Sequence, residues 1–206
     1  STAVRTVSFT VNDGDLDSNV QTRNIAITDI NDAPVITGGP DTSSLTESNS
    51  GLTDSGAFTV TDLDITDNVT AAVDSVVVTG TGAGSVPAGL TNATLRSFLS
   101  VTPTAILNGA QTTNTLTWNF SSGSEAFDFL ATGQTLILTY TVSATDDDGS
   151  PLSDTETVTI TITGTADAPI ITGGPDTSSL TETNAGLSDT GTFTVTDLDF
   201  TDNVTA

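Results

Sequence analysis

The chain has 206 residues and a net charge of −23, from 26 acidic side chains against three arginines, with no lysine, cysteine or histidine. That balance argues against nucleic acid or an anionic membrane as partner, since both need clustered Lys and Arg. It also removes thiol and disulfide chemistry and the imidazole that serves as general base and transition-metal ligand.

The elements predicted from the sequence are almost all strands. Ser8-Phe9-Thr10-Val11, an acidic loop and Asn24-Ile25-Ala26-Ile27-Thr28 read as a hairpin. Asp13, Asp15 and Asp17 in that loop have EF-hand spacing, but Ser18 and Asn24 stand where such a loop needs Gly and Glu, so a solvated turn or hairpin site is expected. Further strands are expected near Ile36, at Phe58 to Thr61, Ser75 to Thr79, Thr115 to Phe120, Thr135 to Ala144 and Thr155 to Thr163. In the last of these, threonines alternate with Val158, Ile160 and Ile162, the period of two that gives one wet face and one dry face. Short helical turns are expected at Ala93 to Leu99 and Glu125 to Leu130. Trp118, the sole tryptophan, reads as core. Gly80 to Gly109 reads as an insertion or extra strands with a function of its own, glycan recognition being one candidate. No stretch approaches the roughly 20 apolar residues that span a bilayer.

A long internal repeat organises these strands. Ile36 to Glu47 recurs residue for residue as Ile171 to Glu182, an offset of 135, and Phe58 to Asp64 recurs as Phe193 to Asp199 at the same offset. The hairpin at the start parallels Thr139 to Val142 and Thr157 to Ile162. Three segments are therefore expected: 1–33, the C-terminal part of one repeat; 34–168, a whole repeat; and 169–206, the N-terminal part of the next. The chain reads as an excerpt of a longer protein.

The acids concentrate at strand ends and between segments. Asp29, Asn31 and Asp32 precede Ala33-Pro34; Asp62, Asp64 and Asp67 follow the Phe58 strand; Asp146, Asp147 and Asp148 fill a hairpin loop. In a two-sheet sandwich of the immunoglobulin type these three groups meet at one end. Glu47 lies 13 residues beyond Pro34, roughly 43 Å at strand rise, so it is expected at the other end with Asp167, Asp197, Asp199 and Asp202. Glu182 repeats Glu47 for the next segment. Oxygen-rich clusters without sulfur or imidazole suit calcium, which takes 6–8 oxygen ligands. Carboxylate pairs placed in linkers and turns rather than a cleft do not suggest a glycosidase, and no catalytic residue is expected.

Asp29-Ile30-Asn31-Asp32-Ala33-Pro34 resembles the calcium-binding linker of cadherins and bacterial cadherin-like domains, and Asp62-Leu63-Asp64 resembles their Asp-x-Asp ligand pair. Phe127-Asp128-Phe129-Leu130, the strand Leu136 to Val142 and Gly164-Thr165-Ala166-Asp167-Ala168-Pro169 resemble the VCBS repeats of giant RTX-type adhesins. The resemblance implies an all-β fold of tandem immunoglobulin/cadherin-like sandwiches joined end to end by calcium-binding linkers. It implies a non-enzymatic extender on the bacterial cell surface, exported by type I secretion. Its partners would be the neighbouring repeats of the same chain, with self-association or surface glycans as further possibilities and no membrane insertion. The alternatives are a subunit of an extracellular filament or sheath and a glycan-binding module. Ala166 departs from the pattern set by Asn31, so the second linker is expected to bind calcium more weakly or with an extra water.

Overall fold

A computed structural model describes residues 2–28, 30–199 and 201–206. Strands β1 (Thr2–Phe9) and β2 (Gln21–Thr28) form the expected hairpin, paired from Thr2↔Thr28 to Phe9↔Gln21. Its loop is a compact turn. Asp13 Oδ1 accepts the Asp15 and Leu16 amides, both at 3.0 Å, and these bonds hold its carboxyl below the usual range.

Residues 35–163 form one sandwich. The first sheet contains β3 (Val35–Thr37), β5 (Thr53–Thr61), β9 (Thr113–Ser121) and β7 (Leu99–Thr102), in the order β3-β5-β9-β7. The second has β4 (Asp41–Thr46), β11 (Ser153–Thr163), β10 (Thr135–Thr145), β6 (Asn68–Thr79) and β8 (Ala105–Asn108), in the order β4-β11-β10-β6-β8. The first strand of the repeat is split between the sheets. β3 pairs antiparallel with β5, Gly38 turns at φ +96°, and β4 continues in the other sheet, parallel to β11. A positive φ is open to glycine and strained for other residues.

Alternation decides what faces inward. Along β10 and β11 the pairs Leu136↔Ile162, Leu138↔Ile160 and Tyr140↔Val158 are fully buried, and the intervening threonines lie on the outer face. Trp118 is buried as expected, and its Nε1 donates to Asp41 Oδ2 at 2.9 Å, satisfying the polar end of the ring. Phe98 meets Phe120 and Phe127 edge-on, with centroids 6.2 and 6.1 Å apart.

Residues 80–109 are built into the sandwich. They form the short helix α1 (Asn92–Ser97), β7 and β8, and their Leu95, Leu99, Val101, Ile106 and Leu107 belong to the core. The helical turn expected at Glu125 to Leu130 is a correction. That stretch is a series of turns, with Phe127 at φ +68°, a left-handed conformation a helix cannot contain. Beyond the sandwich, β12 (Ile170–Thr172) pairs with β13 (Thr194–Thr196) in the register of β3 with β5. Among the described residues no helix is long and apolar enough to cross a membrane.

Candidate metal sites

Two acidic clusters lie at opposite ends of β11, an 11-residue strand about 34 Å long at strand rise. The first forms where β5 ends. Asp62 donates its amide to the Thr112 carbonyl at 2.9 Å and turns the chain with its own Oδ1, which accepts from the Asp64 amide at 2.9 Å. The Asp67 amide then bonds the Asp64 carbonyl at 3.0 Å and closes the loop. The segment between β2 and β3 docks on this loop through the Asp32 amide, which donates to Asp64 Oδ2 at 2.7 Å. Asn31 Nδ2 donates to Asp146 Oδ2 at 3.2 Å and to the Ser150 carbonyl at 3.3 Å, which brings in the β10–β11 loop.

These bonds leave oxygens over. Asp62 Oδ2, Asp67 Oδ2 and Asn31 Oδ1 are buried without a hydrogen-bond partner, and Asp62 is 2% exposed. Asp62, Asp64 and Asp67 each offer an oxygen within 4.8 Å of the others. Burial raises the Asp62 carboxyl above its usual range, and the charges of Asp64, Asp146 and Asp32 push the same way. Asp67 is raised by burial and then by Asp64, Asp62, Asp148 and Asp146.

The second cluster gathers at the far end. Glu47 follows β4, and its amide bonds the Thr163 carbonyl at 2.8 Å. Its Oε2 accepts from the Thr165 amide and hydroxyl at 2.8 and 2.7 Å, while Oε1 is buried and unpartnered. The Asp167 amide donates to Asp199 Oδ2 at 2.9 Å, and the Asp199 amide to Asp197 Oδ1 at 3.1 Å. Asp128 Oδ1, Asp167 Oδ2 and Asp199 Oδ1 are likewise buried without a partner. Glu47, Asp128 and Asp167 place oxygens within 4.8 Å of one another. Burial raises Asp128, Asp167 and Asp199, and nearby carboxylates add to the shift in each case.

The two clusters share one scaffold. Asp32 to Asp64, Asp64 to Asp62 and Asp67 to Asp64 recur 135 residues on as Asp167 to Asp199, Asp199 to Asp197 and Asp202 to Asp199.

The other expected residues are placed as follows. Asp146 is buried, and its Oδ1 accepts the Asp148 and Leu152 amides. Asp148 is exposed, close enough for its charge to act on Asp67. Asp197 and Asp202 belong to the second cluster through the bonds above. Asp147 accepts from Asn68 with both oxygens, at 2.9 and 2.7 Å, which lowers its pKa and braces the start of β6. Glu182 is exposed and joins neither cluster. Asp29 lies outside the described residues.

Asp128 was not among the expected ligands. Its signal in the sequence is an acid set between two aromatic residues, and Phe127 and Phe129 are both buried. They anchor the loop and hold the carboxylate between them at the end of the core.

A buried carboxylate oxygen without a donor is costly unless a cation meets it. The donor sets are all oxygen, which suits a hard cation of the calcium type and not a thiolate- or imidazole-seeking metal. Acids from several segments converge, so a bound ion would tie the loops and the linking segments together.

The strand order and split first strand define an immunoglobulin-like β-sandwich. No family model matches the sequence. No curated protein matches it. Solved structures with similar chain traces include the CooA pilin subunit from enterotoxigenic Escherichia coli, with 12% identity and TM-score 0.43, covering 65% of this chain and 99% of that one. The PapD-like domain 7 of human CEP192 gives 12% identity and TM-score 0.35 over 67% of this chain and 89% of that one. Zebrafish RET cadherin-like domains 1 to 4 give 10% identity and TM-score 0.30, covering 80% of this chain and 34% of that one. At these identities and TM-scores the likenesses carry no argument about this chain.

Proposed function

We propose that the chain is a calcium-stiffened spacer, a run of tandem β-sandwich repeats from a secreted bacterial surface adhesin of the VCBS/cadherin-like kind. The observation that carries this reading is the set of seven buried, unpartnered side-chain oxygens among the described residues. They fall into two clusters that each join a linking segment to a sandwich loop. Without metal, the carboxylates repel one another and the linkers flex. Calcium replaces that repulsion with shared coordination, so the linkers lock and resist proteolysis. Asn31, Asp62, Asp64, Asp67 and Asp146 would hold an ion at one end, and Glu47, Asp128, Asp167 and Asp199 at the other. The role is mechanical: the stiffened array spaces a ligand-binding region from the cell.

Metal that binds only the native state stabilises it by about 2.7 kcal/mol at a concentration 100 times its Kd. The melting temperature should therefore rise by roughly 5–10 °C between chelator and saturating calcium, and small-angle scattering should show a longer, less variable particle. Identical melting and scattering in the two conditions would remove the basis of the proposal.

A further inference from the structure

The sandwich has two open sides, and they are closed differently. On one, the split first strand serves both sheets as β3 and β4. On the other, β7 ends the first sheet, and β8 pairs with β6 only from Asn68 to Thr70. Among the described residues, no strand pairs with the outer side of β6 from Val73 to Thr79. Ser75-Val76-Val77-Val78-Thr79 is uncharged and rich in β-branched residues, and Val77 is 57% exposed. An edge of that kind is a template for another strand. Lysine, a common means of blunting such an edge, is absent from this chain.

Helix α1 lies along this edge. Thr91 caps it, its hydroxyl accepting from the Thr94 amide at 3.2 Å. Asn92 and Arg96, four residues apart on one face of the helix, each take a β6 carbonyl. Asn92 Nδ2 donates to the Val76 carbonyl at 3.2 Å, and Arg96 Nη1 to the Val73 carbonyl at 2.8 Å. Carbonyls three residues apart in a regular strand point to opposite sides. Here the register shifts opposite Thr141 and Val142, leaving Asp74 unpaired in a bulge that turns both carbonyls toward the helix. The Ser143 hydroxyl donates to Asp74 Oδ1 at 3.0 Å and holds the bulge. From the interior, the Tyr140 hydroxyl donates to the carbonyl of buried Leu95 at 2.9 Å and fixes the helix in place. One of only three arginines in a chain with 26 acids is thus given to a main-chain carbonyl.

We propose that α1 is an edge guard: by occupying the Val73 and Val76 carbonyls it stops residues 73–79 from pairing with the same residues of a second copy. The segment suits antiparallel self-pairing, because Ser75 to Thr79 carry no charge that would repel their own copy. Residues 80–109 thereby keep copies of the sandwich from joining edge to edge. The role is separate from cation binding and stands or falls without it.

The test uses the full chain in chelator, with Asn92→Ala and Arg96→Ala combined. Both side chains are exposed and Leu95 stays in the core, so the fold should persist, which a cooperative melt checks. Relative to the parent, sedimentation should show an added, concentration-dependent dimer. Amides of residues 73–79 should exchange roughly tenfold faster than in the parent at low concentration and regain protection at high concentration. Adding Val77→Lys should return association to the parent's level while those amides stay fast, because a lysine on the edge disfavours strand pairing. Arg96→Ala alone, which leaves the Asn92 bond, should show the same behaviour to a smaller extent and decides the matter if the double variant loses its melt. Association no greater than the parent's, or association that Val77→Lys does not reverse, overturns the inference.

Discussion

At three carboxylates of these clusters one oxygen takes a backbone donor and the other is left to its neighbours' charge. Asp62, Glu47 and Asp199 all follow this pattern: one oxygen shapes a turn or receives a linker amide, and the second is buried without a partner. The bonded oxygens set the geometry in the absence of metal, and the free ones carry the electrostatic cost. Asp128 tests the division because its Oδ1 is unpartnered and Glu47 is its main charged neighbour. Asp128→Asn removes one of the mutually repelling charges. Chemical denaturation should show the metal-free protein stabilised, by about 1 kcal/mol. The same change should reduce the gain from calcium, because a ligand charge is lost. A substitution that lowers stability equally with and without calcium would show that Asp128 serves packing alone.

At the scale of elements, one hexapeptide shows how far strand formation depends on context. Asp41-Thr42-Ser43-Ser44-Leu45-Thr46 is strand β4, paired in parallel with β11 from Val158↔Asp41 to Thr163↔Thr46. The identical Asp176-Thr177-Ser178-Ser179-Leu180-Thr181 forms no strand. Its composition is half-hearted for a strand, so the ladder to β11 decides the outcome. The side-chain bond of Ser43 to Asp54 has its counterpart in Ser178 and Asp189, so local contacts survive where the strand does not. Hydrogen exchange should separate the two copies: amides of residues 42–46 protected, those of 177–181 exchanging much faster. Equal protection would mean that the hexapeptide is ordered independently of β11. The same dependence governs apolar faces. Pro34, Ile36, Val60 and Val69 are buried, whereas their counterparts 135 residues on, Pro169, Ile171, Val195 and Val204, line a shallow open groove.

For the whole molecule, a net charge of −23 opposes compaction, and the two clusters concentrate that opposition where protonation or metal can relieve it. Asp62, Asp67, Asp128, Asp167 and Asp199 all have carboxyls raised by burial and by neighbouring carboxylates. The native protein therefore binds protons more tightly at these groups than the unfolded chain does. Metal-free stability should rise as pH falls from neutral through their raised values, until the ordinary carboxylate range is reached and the unfolded chain takes up protons as well. Asp13 and Asp147 act in the opposite sense: their stabilisation is present above that range and fades as pH falls through their lowered values. Melting in chelator should thus be higher near about pH 5 than near about pH 7. The gain from calcium should shrink over the same interval, because protons compete for the ligand oxygens. A metal-free melting temperature that falls steadily on acidification from neutral would contradict the clusters as described.

The sequence by itself determined the all-β class, the 135-residue period and six strands, the plainest of them Thr155 to Thr163 with its alternating threonine and aliphatic residues. These features follow from a side-chain period of two and from β-branched composition, which are local properties. It also placed acids at both ends of the sandwich, because strand rise converts residue count into distance: Glu47 reaches Thr165 and Asp167's cluster as the 13-residue span from Pro34 requires. Tertiary structure alone decided the rest. β7 and β8 are too short to announce themselves, and β4 exists through its parallel partner. Asp128 enters the second cluster because Phe127 and Phe129 pin its loop against the core, and Asp147 is drawn to Asn68 at the start of β6. A carboxylate's role depends on which donors and charges surround it, and those come from residues far away in the chain, brought together only by the packed sheets.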